Sequence, residues 1–584
     1  MTKIVIVLII AAVCAVNCQD LDWWEGGNFY QIYPRSYMDS NGDGIGDLQG
    51  IKSKLAYVKG LGMDGVWLSP IYKSPQADFG YDISDYRDIN IEYGTLDDFN
   101  ELIAECERLQ LKLILDFVPN HTSDEHEWFL KSERNVSGYE DYYIWRDGKI
   151  DPYTNLLVPP TNWLSFFRYS AWRWSNIRKQ FYLHQFHYKQ PDLNYRSAKL
   201  VQEMKDVLSY WMHKGVAGFR IDIIVCLFET MYSDGSFPDE PIDNPNCDYN
   251  DPCYLNHIYT QDQNETYDMA YQWRELLDNF KIANGGDTRI MMTESYSSVE
   301  KAQRFYGDGD RKGSYVPFNF EIIKNLNQNS TAKDYKTVVD SWLDRMPKKT
   351  GIEANWVIGN HDQHRAASRL GVTRGDLLNI LVQTMPGIAI TYQGEELVMT
   401  NVHLSWEDTV DPQACNTHDP VNYESSSRDP ARTPFPWDST KNGGFSTADV
   451  TWLPAGTNYQ TVNVKLQEEA TNSHLKIFRR LTTIRKQPVF RQGTYTGILL
   501  NNENVFAYKR EYGDQVAVVL LNFGTSQQSV NVASAFSGIP AQLKIYTSSL
   551  SSGMTNGAEV SSTNVNIGKD IGVVLLSSTV NAEY

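Results

Sequence analysis

LKLILDFVPNH, residues 111–121, is an apolar run that closes on an acid, a proline, an asparagine and a histidine. The segment before it, Leu96 to Leu109, carries apolar residues at helical spacing, so the two read as helix followed by strand. The unit recurs. FYQIYP at 29, DGVWLSP at 64, GFRID at 218, TRIMMTES at 288, NWVIGNHD at 355 and GIAITYQGEE at 387 are short runs of the same kind, and helical spacing returns between them, as from Lys199 to His213. Strands alternating with helices imply βαβ units and a parallel sheet. Sustained over about 470 residues, the pattern predicts a (β/α)8 TIM barrel with insertions. Such barrels carry their active sites on the loops after the strands, so the polar residues that close each run become the candidates.

Two regions break the rhythm. Residues 120–190 are dense in aromatics and loop formers without a helical period, which predicts a subdomain inserted after the third strand. From 497 the chain turns to VFAYKR, VAVVLLNF, LKIYTS and GVVLLSS separated by Gly, Asn and Ser, which predicts a small C-terminal antiparallel β domain. The expected division is a signal segment at 1–18, barrel at 19–119, insert at 120–190, barrel again at 191–496 and β domain at 497–584.

With 584 residues, 41% hydrophobic and 21% charged, the chain is long enough for a large folded core and too apolar for disorder. A net charge of −19 repels nucleic-acid phosphates and anionic lipid. The 15 Trp and 35 Tyr suit a neutral polyhydroxylated ligand, whose flat C–H faces meet aromatics and whose hydroxyls meet carboxylates. Lys3 ahead of the apolar run from Ile4 to Val13 reads as a secretory signal cleaved near Ala15 or Cys18. That run is too short to span a bilayer, so a secreted, extracellular protein without a transmembrane anchor is expected. Of the remaining cysteines, Cys106, Cys226, Cys247, Cys253 and Cys415, one must stay unpaired or pair between chains. The turn-rich PNCDYNDPC suggests a Cys247–Cys253 disulfide. Sequons at Asn135, Asn264 and Asn329 fit glycosylation, whereas the one at Asn120 sits inside the strand-closing motif and is expected to be too buried.

Splitting a glycosidic bond with retention needs two close carboxyl groups, one a nucleophile and one an acid/base. Asp222 lies two residues after Arg220, so in an extended strand the two share a face, and the guanidinium is expected to hold Asp222 ionised and lower its pKa. Glu294 closes the apolar RIMMT, an environment that raises a carboxyl pKa and keeps a proton available. Asp362 follows Asn360 and His361 and supplies a third acid. Taken singly, each also reads as a loop carboxylate capping the next helix, and for a lone Asp that reading is the favoured one.

Together, DFVPNH from Asp116 to His121, GFRID from Gly218 to Asp222, TES at Glu294 and NHD from Asn360 to Asp362 resemble the four ordered motifs of the α-amylase superfamily of retaining glycosidases. QPDLN at 190–194 is similar to the marker of its oligo-1,6-glucosidase and maltase branch. The resemblance implies Asp222 as nucleophile, Glu294 as acid/base and Asp362 as the residue that distorts and stabilises the bound sugar. It implies Arg220, His121 and His361 as ligands of the glucosyl hydroxyls, Asp78 and Tyr81 of DFGYD as the closure of the non-reducing end, and Arg428 as a grip on the terminal glucose, with Arg432 less clearly assigned. The substrates would be small neutral α-glucosides, cleaved from the end. Ile223 and Val225 depart from the smaller or rigid residues of insect relatives and leave linkage preference open.

In Asp39-Ser-Asn41-Gly-Asp43-Gly-Ile45-Gly-Asp47, oxygen donors alternate around glycines, which suits a hard cation such as calcium in a structural role, as that family often shows. A glycine-rich turn capping the next helix is the plainer alternative. No organic cofactor is implied. The rival function is a catalytically silent member that binds sugar or protein, and an endo-acting amylase is disfavoured by Asp78 and QPDLN.

Overall fold

The computed structural model describes residues 21–349 and 351–583, and the expected signal segment 1–18 lies outside them. Eight parallel strands form the central sheet: β1 (Asn28–Ile32), β2 (Gly65–Leu68), β3 (Lys112–Phe117), β4 (Gly218–Ile221), β5 (Ile290–Thr293), β6 (Val316–Pro317), β7 (Asn355–Val357) and β8 (Ile388–Tyr392). Their order, β6-β5-β4-β3-β2-β1-β8-β7, is that of a nearly closed barrel with β6 and β7 at the two ends. The strands are buried on both faces, as continuous apolar runs require. Gly218 is dictated by this packing, since an added Cβ would come within 2.3 Å of the Ile290 carbonyl oxygen. β6 has no counterpart among the runs recognised in the sequence. It is two residues long and ends in a proline, which cannot donate to a ladder, so no periodicity marks it.

Helices cover the barrel. Leu48–Gly60 is N-capped by Asp47, whose carboxylate accepts the Gly50 N–H at 2.7 Å. Leu96–Arg108 starts on a Thr95/Asp98 capping box. Ala198–His213 and Asn264–Asn284 bury apolar stripes against the strands.

Between β3 and β4 the chain leaves the barrel. A short helix, Glu127–Glu133, precedes a three-stranded antiparallel sheet of Trp145–Arg146, Phe181–Leu183 and Trp172–Trp174, with a hairpin of Lys149–Ile150 and Leu157–Val158 beside it. Stacked rings, Trp163 on Trp172 and Phe129 on Trp145, fill this insert, so its core comes from aromatics on short strands and leaves no helical period. The C-terminal sheet has six antiparallel strands, beginning with Thr494–Leu500, Val505–Tyr512 and Gln515–Asn522. Its first strand starts inside the span assigned above to the barrel, because the polar TYTG reads as a turn.

Cys247 and Cys253 are joined in a disulfide with their Cα atoms 6.0 Å apart. Among the described residues Cys106, Cys226 and Cys415 are unpaired. Asn135, Asn264 and Asn329 are exposed and Asn120 is buried. No helix among the described residues is long and apolar enough to cross a membrane.

Arg510 fastens the β sheet to the barrel. Fully buried, it donates to the carbonyls of Thr384 (2.8 Å), Phe490 (2.6 Å) and Gly493 (2.9 Å), which otherwise end helices and turns without partners. Arg510→Met, which keeps the volume and removes the donors, is expected to lower stability by about 1–3 kcal/mol in denaturant unfolding.

Candidate active site

Arg220 is the centre of the site. It pairs in register with Asp116 on β3 and with Met292 on β5, and its side chain is 1% exposed. Nη1 reaches Asp116 Oδ1 at 2.8 Å and Asp222 Oδ1 at 2.7 Å, and Nη2 reaches Glu294 Oε2 at 2.6 Å. Adjacent parallel strands point equivalent residues the same way, which is why acids from β3, β4 and β5 converge on one cation. Two carboxyls held by the two Nη atoms of one guanidinium lie close together, the arrangement that a retaining pair of nucleophile and acid/base needs.

Burial pushes the Asp222 carboxyl well above its ordinary range, and although Arg220 opposes this, Glu294 and Asp116 add to it. The sequence expectation of a lowered value is thereby corrected: one guanidinium is divided among three carboxylates and cannot offset the desolvation of any one of them. Burial likewise raises Glu294 against the pull of Arg220, and raises Asp116 to about 6. Burial and mutual repulsion thus both favour retention of a proton on this group of acids.

A second network faces the first. Arg428 Nη2 binds Asp78 Oδ1 at 2.8 Å and Asp411 Oδ1 at 2.5 Å, while its Nη1 lies 3.5 Å from Asp362 Oδ1. Arg432 Nη2 donates to the same Asp362 oxygen at 2.8 Å, and its Nε to the His361 carbonyl at 2.7 Å. Burial works against ionisation of Asp362, but His361, Arg432 and Arg428 outweigh it and hold the carboxyl below the usual range. Because burial keeps His361 itself neutral, the two arginines are the standing charges.

His361 is oriented by a chain of hydrogen bonds. Gln31 Nε2 donates to Nδ1 at 2.8 Å, Nε2 meets the Tyr81 hydroxyl at 2.6 Å, and that hydroxyl donates to Asp116 Oδ2 at 3.0 Å. With Nδ1 accepting, the imidazole proton belongs on Nε2. The Tyr81 and His361 rings stack 5.3 Å apart. His121, held neutral by burial with its pKa near 3, meets Gln190 Nε2 at 3.1 Å, and the same amide donates to Asp78 Oδ2 at 3.1 Å.

These groups open on one cavity of about 380 Å3, within the usual range for a small-molecule site. Asp78, Tyr81, His121, Asp222, Glu294, Asp362 and Arg428 line it, together with Ile223 and Val225. Arg220 and His361 do not. They stand behind the wall and act on the cavity through Asp222, Glu294, Tyr81 and Asp362. The sequence reading missed Gln31 and Asp411, and it quoted Gln190 only as part of a marker. Asp411 lies in an irregular stretch after β8 where no periodicity singles it out. Phe166, Phe167 and Phe186 from the insert, with Tyr296, supply the apolar walls.

The glycine loop at 39–47 folds on its own hydrogen bonds. Asp39 Oδ1 accepts from the N–H groups of Asn41 and Gly42, Asp39 Oδ2 from Gly44 N–H, Asp43 Oδ1 from Ile45 N–H, and Asp47 from Ser40 and Gly50. All side-chain donors in it are oxygens, the chemistry of a hard cation. Among the described residues, oxygens from Asp39, Asp43 and Asp47 do not all come within 4.8 Å of one another.

Arg220→Met leaves Asp116, Asp222 and Glu294 facing each other without a cation. It is expected to cost about 3–5 kcal/mol of stability in chemical denaturation, with part of the loss recovered at low pH as the carboxyls protonate.

Comparison with known proteins agrees with this geometry. Residues 31–493 match the α-amylase catalytic domain family. Maltase A1 of Drosophila melanogaster is 50% identical over 560 residues, covering 95% of this chain and 96% of that protein. A salivary α-glucosidase of Aedes aegypti is 52% identical over 531 residues, covering 91% and 90%. Among solved structures, the trehalulose synthase MutB from Pseudomonas mesoacidophila superposes with a TM-score of 0.81 at 30% identity, covering 96% of this chain and 100% of that one. The barrel, the acids gathered on one arginine and the extent of these matches lead to one assignment: this chain belongs to the α-amylase catalytic domain family.

Proposed function

We propose that this protein is a secreted, exo-acting α-glucosidase that removes terminal, non-reducing α-linked glucose from maltose, sucrose or short oligosaccharides with retention of configuration. The observation that carries the reading is the single cavity in which Asp222 and Glu294 share one guanidinium while Asp78 and Arg428 stand paired in the same wall. The resemblance to maltases and salivary α-glucosidases supports the substrate class. The disulfide, the exposed sequons and the expected signal segment support secretion.

In this reading Asp222 attacks the anomeric carbon with Oδ2, the oxygen that Arg220 does not engage. The C1–O bond breaks as Glu294 gives its proton to the leaving oxygen. Glu294, now ionised, takes a proton from water, which attacks C1, frees Asp222 and releases α-glucose. Asp362, kept anionic by Arg428 and Arg432, accepts hydrogen bonds from sugar hydroxyls that shift as the ring flattens. Asp78 and Arg428 close the far end, so only one glucosyl unit fits beyond the scissile bond. Tyr81 and the insert phenylalanines offer faces to the sugar rings.

Activity needs one proton on the pair. Below the range where Asp222 loses its proton both acids are neutral and no nucleophile exists; above the range where Glu294 loses its own, no acid remains. Since burial raises both, kcat/KM for p-nitrophenyl α-glucoside should follow a bell whose acid limb lies above the ordinary aspartate value of about 4. Asp222→Asn should reduce kcat by about 10³-fold or more, and Glu294→Gln should abolish the alkaline limb. β-Glucose as the first product by NMR, or unchanged turnover in Asp222→Asn, would refute the mechanism.

We further infer that the loop at 39–47 holds calcium through Asp39, Asn41, Asp43, the Ile45 carbonyl and Asp47. The ion would supply structural stability and take no part in the reaction. Chelation is expected to lower the melting temperature by several degrees, reversed by calcium. An unchanged melting curve would remove the ion.

A further inference from the structure

Ile223, immediately after the proposed nucleophile, has φ 31° and ψ 47°, a left-handed conformation. Only glycine, and to a lesser degree asparagine and aspartate, visits this region readily; for a β-branched residue it is strained and persists only where the surroundings over-determine it. They do so here. On one side, Asp222 N–H is fixed to the Phe117 carbonyl at 2.8 Å. On the other, Ile224, Val225 and Cys226 form a short 3-10 turn that is buried in the core, and Cys226 N–H closes back on the Ile223 carbonyl at 3.1 Å. The chain has two residues, Asp222 and Ile223, in which to turn from the strand end into the core.

That turn aims the Ile223 N–H at Glu294 Oε2, 2.8 Å away. The same oxygen accepts Arg220 Nη2 at 2.6 Å. An oxygen that receives two donors cannot itself carry the transferable hydrogen.

We propose that Ile223 is a positioning residue whose left-handed backbone presents its N–H to Glu294 Oε2, so that the proton given to the leaving oxygen is carried on Oε1. The inference rests on the reading of Glu294 as the acid/base and adds the device that selects which oxygen acts. Its side chain also lines the cavity, so the residue couples a wall contact to the orientation of the acid. In the first step the Oε1–H bond breaks, its hydrogen goes to the glycosidic oxygen, and the electron pair stays on a carboxylate that Ile223 N–H and Arg220 already solvate. In the second step Oε1 takes a proton from water as the water oxygen bonds to C1 and the C1–Oδ2 bond to Asp222 breaks, returning its electron pair to the Asp222 carboxylate.

The direct test replaces isoleucine 223 by its α-hydroxy acid through nonsense suppression, which exchanges N–H for O and keeps the side chain. Removing a donor from the ionised form should move the alkaline limb of kcat up by about one unit. It should also lower kcat by about 10-fold while KM changes less than about 2-fold. An unmoved limb overturns the proposal. Glu294→Gln, measured alongside, separates the two readings: a limb that survives there shows that Glu294 is not the acid, and the tether falls with it. Ile223→Asn and Ile223→Thr provide a second measurement with ordinary residues of similar bulk. The asparagine variant, which tolerates the left-handed turn, should melt about 1–2 °C above the threonine variant and keep the native limb. Equal melting temperatures would show that no strain is held at this position and overturn the device.

Discussion

One buried guanidinium facing three carboxylates is the constraint on which this molecule turns. Arg220 cannot be solvated by water, and Asp116, Asp222 and Glu294 cannot all be ionised around a single positive charge. The cluster therefore keeps a proton that isolated carboxyls would surrender. In water that proton would be lost at an acidic pH; burial behind the cavity wall opposes its loss. A barrel is suited to building such a cluster because neighbouring strands deliver their side chains to one point with the precision of a hydrogen-bonded register, and loops alone would not.

The surrounding network keeps that point fixed. The hydrogen bonds running from Gln31 through His361 and Tyr81 to Asp116 tie β1, the loop after β7, the loop after β2 and β3 into one path behind the cavity. Arg428 and Arg432, both from the long segment after β8, hold Asp362 from the opposite side. The proposed sugar site thus has a proton-rich half and a cation-rich half, and the two carboxyl environments diverge although their residue types are alike.

What the sequence made legible followed from chemistry that is local. Strands that close on acids could be read because apolar runs and terminal polar residues lie side by side, and Arg220 with Asp222 share a face by simple alternation. The two-residue β6 left no trace, since a strand that short has no period. Gln31 and Asp411 were illegible for a different reason: an amide inside an apolar run gains meaning only from His361, far along the chain, and an acid in an irregular loop only from the fold that turns it back onto Arg428. The direction of the Asp222 shift failed because sequence shows a neighbour but not how many others claim it. Glu294, whose apolar setting is adjacent in the chain, was read in the right direction.

In the proposed reaction the pairing of Asp78 with Arg428 would govern traffic. A recess closed at its inner end has a single mouth, so in the proposed reaction the severed aglycone must depart before water can enter, and the captive hexose can escape only after both. Entry and exit are queued in a fixed order, free glucose competes for the same berth as the next chain, and the enzyme must let go entirely between successive cuts. In that reaction a longer oligosaccharide would be shortened by repeated visits, never by sliding along it.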